Sequence, residues 1–152
     1  MRILGVRVSP KMSSFVVYCT ESKKLHCTDV IKVPATLDMP EKLKYIRNNI
    51  LDILRLYKVD IAAIRVAEAN SQNLNINRLY IEAVIQEAFS SSEVEKYYTI
   101  RKTGIKSALN LNEDKYKSIL NSKERIHSID NASFSPETNE ALLAALASEF
   151  KS

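Results

Sequence analysis

The first eighteen residues, MRILGVRVSPKMSSFVVY, constrain the fold more than any other stretch. An apolar run of Ile3, Leu4, Val6 and Val8 reaches a Ser-Pro-Lys turn, and a second run of Phe15, Val16, Val17 and Tyr18 returns from it. This spacing predicts a hairpin of two buried strands. Arg7 interrupts the first strand close to its end. A guanidinium in such a place is exposed, paired with an acid, or used.

Residues 24–33 (KLHCTDVIKV) add a third strand across the polar turn Glu21-Ser22-Lys23-Lys24, so the first three strands form an antiparallel meander. Cys19 and Cys27 flank that turn and are expected as a reduced, buried pair on adjacent strands. Asp38, followed by Pro40 and Glu41, marks a helix start. The helix behind it directs Leu43, Ile46, Ile50, Ile53, Leu54 and Tyr57 to the sheet at helical spacing. Residues 59–66 (VDIAAIRV) are almost wholly apolar, as suits a central strand buried on both faces and parallel to the first; this strand also ends on an arginine, Arg65.

A polar, Asn-rich loop follows over residues 68–77, at a place that makes it a natural edge of any site. Next come a helix over 78–89 with Leu79, Ala83, Val84 and Ala88 inward, a strand over 94–100, and two short helices between 101 and 122. The last helix has Ser135 as its cap, Pro136 in its first position, and Glu137 and Glu140 where the helix dipole favours acids. Its core stripe reads Ala141, Leu142, Ala145, Leu146 and Phe150. The order predicts an α/β fold in one domain over residues 1–152: a mixed five-stranded sheet, three antiparallel strands then two parallel, with helices on both faces.

Several chemistries are excluded. Gly5 and Gly104 are the only glycines, so there is neither a Walker P-loop nor a GxGxxG dinucleotide loop, and no GxSxG elbow is present. With no CxxC spacing and only His26 and His127, a structural zinc site is not expected. No window approaches the roughly 18 apolar residues of a membrane helix, and the start of the chain lacks a signal-peptide layout; a cytoplasmic protein without a membrane partner is expected. The formal net charge of +4 is unevenly spread. Residues 96–125 hold eight Lys or Arg (Lys96, Arg101, Lys102, Lys106, Lys115, Lys117, Lys123, Arg125) against Glu113, Asp114 and Glu124. Such a segment is either an electrostatic footprint for nucleic acid or a solvated helix face.

These elements and residues together resemble the ribonuclease H-like superfamily and, within it, the RuvC-type Holliday-junction resolvases. ILGVRVSPKMSSFVVY is similar to that family's opening strand, turn and strand, in which an aspartate follows the LGI run. VDIAAIRV is similar to its fourth strand, where a glutamate follows the AI pair. YYTIRKTGIKSAL is similar to its fifth strand and T-x-x-K segment, and PETNEALLAALA to its last helix. Tyr57, Lys58, Val59, Asp60, Ile64 and Arg65, with the IEAVIQ segment after them, resemble more closely a small bacterial family that lacks the catalytic acids.

In active members of the superfamily, four carboxylates hold two divalent metals that activate water and stabilise the leaving oxygen of a phosphodiester. The resemblance implies that Arg7 stands at the position of the aspartate and Arg65 at that of the glutamate, leaving Glu137 and Glu140 as the remaining acids. Two carboxylates and two guanidinium groups sum to zero with no ion present. No metal, no cofactor and no catalytic residue is therefore expected, and Arg7 and Arg65 are expected to pair with Glu137 and Glu140 at degenerate active-site positions.

Three functions compete. The first is a pseudonuclease that binds DNA or RNA, with Arg7, Arg65, Arg101, Lys102 and Lys106 at phosphates. The second is an interaction module with a protein partner, or a homodimer through helix 78–89, where Leu79, Tyr80, Val84 and Ile85 wrap more than one side; the resemblance implies a dimer. The third is a metal-dependent endonuclease with rearranged acids, Glu68 supplying a displaced carboxylate. Against all three stands the plain reading that Glu137 and Glu140 only complement the helix dipole and that the arginines snorkel to solvent.

Overall fold

The computed structural model describes residues 1–70, 72 and 74–151. Its elements run β1 (Arg2–Val8), β2 (Met12–Cys19), β3 (Lys24–Lys32), α1 (Met39–Leu56), β4 (Ile61–Arg65), α2 (Ile76–Ser90), β5 (Lys96–Ile100), α3 (Lys102–Leu109), α4 (Glu113–Leu120) and α5 (Pro136–Glu149). The five strands form one sheet in the order β3-β2-β1-β4-β5. β1, β2 and β3 pair antiparallel, and β4 and β5 continue parallel to β1, which is the mixed sheet the sequence predicts.

The period-two alternation of β1 and β4 divides the interior into two cores. Leu4, Val6, Ala62 and Ile64 face α1 and α2, with Ile46, Ile50, Ile81, Ile85 and Phe89. Ile3, Ile61 and Ala63 face α5, with Ile105, Tyr116, Ile119 and the alanines and leucines of that helix. Helices thus cover both faces. Local signals start them: Asp38 Oδ1 accepts from Glu41 N at 3.0 Å and Glu41 Oε1 from Asp38 N at 3.3 Å, a capping box for α1.

Gly5 sets the approach of α5 to the sheet. A Cβ there would lie 2.0 Å from Ala141 O and 2.9 Å from the Ala145 Cβ, so only glycine lets the helix rest directly on β1. That contact brings Glu140, the residue before Ala141, over the end of β1. α5 is buried on all sides from Ala141 to Ser148, because α3 and α4 cover its outer face; a single apolar stripe is what the sequence predicted. An Asn-Ser network pins the irregular segment before it. Asn131 Nδ2 donates to Asn139 Oδ1 at 3.0 Å, Asn139 Nδ2 donates to Leu120 O and Ser122 Oγ at 2.9 Å each, and Ser122 Oγ donates to Phe134 O at 2.7 Å.

Several details depart from expectation. Phe150, predicted in the core stripe of α5, is its C-cap and 62% exposed, because the helix has passed the sheet by that point. α2 begins at Ile76, earlier than predicted, since the Asn75 side chain accepts from Arg78 N. Its inward face is Ile81, Glu82, Ile85, Ala88 and Phe89; Ala83 and Leu79 are exposed. Glu82, a charged residue that periodicity alone places outward, is buried on this face. Cys19 and Cys27 are free thiols on adjacent strands, out of register with one another, and Cys27 is only half-buried. Ser71 and Asn73 of the predicted loop over 68–77 lie outside the described residues.

Candidate functional site

β1 and β4 end side by side with Arg7 opposite Arg65 in the parallel register, both on the α5 side of the sheet. The first turn of α5 supplies the counter-charge. Arg7 Nε lies 3.3 Å, and Arg65 Nε 3.2 Å, from the same atom, Glu140 Oε2. Arg7 Nη1 also donates to Arg65 O at 2.9 Å, and Arg65 Nη1 donates to Val66 O. Arg65 Nη2 is 3.2 Å from Glu68 Oε1. The side chains of Arg7, Arg65 and Glu140 are only 11%, 6% and 12% exposed, so these are buried charges held by one another.

A second pair adjoins them. On α2, Arg78 Nε lies 3.3 Å from Glu82 Oε2, which also accepts from Ala67 N at 3.0 Å and so ties the chain leaving β4 to the helix. Arg7, Arg65 and Arg78 against Glu68, Glu82 and Glu140 sum to zero. Burial pushes Arg7 down to about 10, an effect opposed by Glu140 and reinforced by Arg65 and Arg78; it stays a cation at neutral pH. The Tyr116 hydroxyl is buried beside Glu140 and Arg65 with no hydrogen-bond partner among the described residues, and burial raises its pKa, with Glu140 adding to the shift and Arg65 opposing it.

Of the four positions expected to meet, three do. Arg7, Arg65 and Glu140 converge, whereas Glu137 makes no ion pair among the described residues and is half-buried one turn earlier on α5. The expectation that both glutamates pair with the arginines is corrected on this point: a helical turn separates Glu137 from Glu140, and Glu140 alone lies over the strand ends. Glu68 is a neighbour of Arg65 and also accepts from Lys102 N at 3.1 Å. Divalent ions do not fit this donor set, since Glu68, Glu82 and Glu140 are each engaged by a guanidinium and three cations already occupy the site. Among the described residues no group of three or more His, Cys, Asp or Glu is arranged to hold a metal ion.

The basic segment lies beside this cluster. Arg101 Nε donates to Ala67 O at 3.0 Å, leaving the rest of an exposed guanidinium at the surface. Lys102 Nζ and Lys106 Nζ converge on Glu113, at 2.5 and 2.8 Å. Sequence reasoning missed Arg78, Glu82 and the role of Glu113. The R-x-x-x-E spacing of Arg78 and Glu82 was the available signal, being the i,i+4 pair of a helix.

A three-stranded antiparallel meander continued by two parallel strands, with a buried helix across the central strand β1, is the ribonuclease H-like fold. Within it the chain has the RuvC-like Holliday-junction resolvase fold. Thermus thermophilus RuvC superimposes with a TM-score of 0.74 at 17% identity, covering 99% of this chain and 94% of that one. T. thermophilus RuvC in complex with a Holliday junction substrate gives 0.76 at 17% identity and the same coverage, 99% and 94%. The yeast mitochondrial Holliday junction resolvase gives 0.57 at 13% identity, covering 99% and 82%. In sequence, the crossover junction endodeoxyribonuclease RuvC of Bordetella parapertussis is 27% identical over 106 residues, 66% of this chain. The match spans 58% of the length of that relative. No protein-family model matches the chain. Among the described residues no helix is long and apolar enough to cross a membrane.

Proposed function

We propose that this chain is a catalytically inactive nuclease-fold protein that binds nucleic acid. The observation that carries the reading is the single Glu140 oxygen shared by Arg7 and Arg65. Metal-dependent phosphodiester cleavage needs an anionic pocket that two divalent ions can neutralise. Here two cations already sit where the resemblance puts two of the acids, and the local charge is balanced without an ion. The scaffold's use then lies in binding. The RuvC-like fold supports this, because T. thermophilus RuvC and fowlpox virus resolvase are both seen with Holliday junction DNA. Arg101, Lys102 and Lys106 are the contacts at phosphates, on the surface next to the buried cluster. Arg7 and Arg65 act mainly by shaping the floor behind them.

The test is fluorescence anisotropy with labelled single-stranded, duplex and four-way-junction DNA at two salt concentrations. Phosphate contacts predict affinity that falls steeply with salt and weakens in Arg101→Ala. Binding that is weak, indifferent to DNA structure and unmoved by that substitution contradicts the proposal.

A second reading is favoured by one observation. Ile76 and Tyr80 are 63% and 50% exposed on the first turns of α2, next to Leu79. Apolar side chains grouped in this way suit a homodimer contact through α2. Light scattering tests it: a dimer that Tyr80→Glu converts to a monomer supports it, and a monomeric wild type excludes it.

A further inference from the structure

Glu113 opens α4, and each of its carboxylate oxygens takes one ammonium group from α3: Lys102 Nζ on Oε1 at 2.5 Å and Lys106 Nζ on Oε2 at 2.8 Å. The two lysines are one turn apart and share a helix face. Lys117 Nζ lies 3.9 Å from Oε1, so three cations surround one anion and the group keeps a net positive charge. Lys102 Nζ is held from another side as well, 5.4 Å from the centroid of the Tyr116 ring. The Glu113 side chain is 39% exposed, so solvent and solutes reach it.

A carboxylate that gives one oxygen to each of two ammonium groups presents the same two-oxygen bite as the non-bridging oxygens of a phosphodiester. We propose that Lys102 and Lys106 form a phosphate-binding position for a nucleic-acid backbone, and that Glu113 fills this position in the free protein and is displaced when nucleic acid binds. This rests on the nucleic-acid reading above and adds its regulation: a built-in phosphate mimic that lowers affinity and screens out weak anions. The hydrogen bonds from Lys102 and then Lys106 hold the Glu113 carboxyl at a pKa of about 2, so it remains the competing anion throughout the physiological range.

The experiment compares wild type, Glu113→Gln and Glu95→Gln by anisotropy with duplex and four-way-junction DNA over a salt series. Glu95 is exposed just before β5, at the opposite end of that strand from α3, and serves as the control for a simple loss of one negative charge. In Glu113→Gln no anion has to be expelled. Affinity is expected to rise on the order of tenfold at low salt, with a salt slope steeper by about one, while Glu95→Gln stays near wild type. DNA binding that emerges only in Glu113→Gln also supports displacement. Salt-dependent wild-type binding with Glu113→Gln within about twofold of it overturns displacement and leaves the nucleic-acid reading intact. No binding by either protein overturns both.

Carboxyl NMR on the wild type gives an answer even if the variant folds poorly. Saturating DNA is expected to raise the Glu113 titration midpoint from about 2 toward the ordinary carboxylate range, and an unmoved midpoint contradicts displacement.

Discussion

Arg7 and Arg65 are register partners across the parallel β1–β4 pair, and the Nε atoms of both lie within ion-pair distance of one oxygen of Glu140, at 3.3 and 3.2 Å. Two guanidinium groups converging on one atom would repel were the acid absent. They are kept together because Arg65 has Glu68 as a second partner and Arg7 donates to the Arg65 carbonyl. Each member depends on the others.

Glu140→Gln therefore leaves two buried cations facing each other. Removing one partner of a buried ionic group costs about 3–5 kcal/mol, and urea unfolding is expected to show a loss in that range. A loss below about 1 kcal/mol would mean that the cluster behaves as an exposed pair.

Reversing the two arginines should restore an anionic pocket. The double variant R7D/R65E sets two new carboxylates beside Glu140 and Glu68 and is expected to bind Mg2+ or Mn2+ in calorimetry. The wild type is expected to give no binding heat at micromolar metal. Micromolar affinity in the wild type would contradict the charge argument.

Gly5→Ala tests how the site is positioned. The added methyl meets the Ala141 carbonyl, a backbone atom that moves only with α5. Overpacking of this kind costs about 1–3 kcal/mol when side chains give way, and more is expected here because a helix must shift. The expected result is a large fall in melting temperature together with loss of the Arg7–Glu140 contact.

The Glu113 clamp predicts an acid-range effect of definite sign. The carboxyl is depressed from 4.5 to about 2 in the folded protein, so its contribution to stability is full above about pH 4.5 and is lost as pH falls toward about 2. Unfolding curves of wild type and Glu113→Gln should differ by a constant amount above that window and converge within it. A difference that grows on acidification would contradict the assignment.

The sheet was legible because its strands carry strong period-two or continuously apolar patterns, and β4 in particular has no polar residue before Arg65. The meeting of Arg7, Arg65 and Glu140 was legible only through the resemblance, which set both arginines against Glu137 and Glu140; the structure brings in Glu140 alone. α2 was misread in phase: burying Glu82 is favourable only with Arg78 and the Ala67 amide in place, and those partners come from the fold rather than from local periodicity. Glu113 was legible only as one acid in a basic run, since its meeting with Lys102 and Lys106 depends on the angle between α3 and α4. The burial of α5 on all sides likewise depends on two short helices whose packing no single stretch specifies.

The most direct test of the central claim is incubation of the protein with labelled four-way-junction DNA in Mg2+ and in Mn2+, with binding read by anisotropy and strand integrity by denaturing gel. Salt-sensitive binding with every strand intact is the predicted result. Metal-dependent cutting that disappears in Glu137→Ala would contradict it and restore an active nuclease built on rearranged acids.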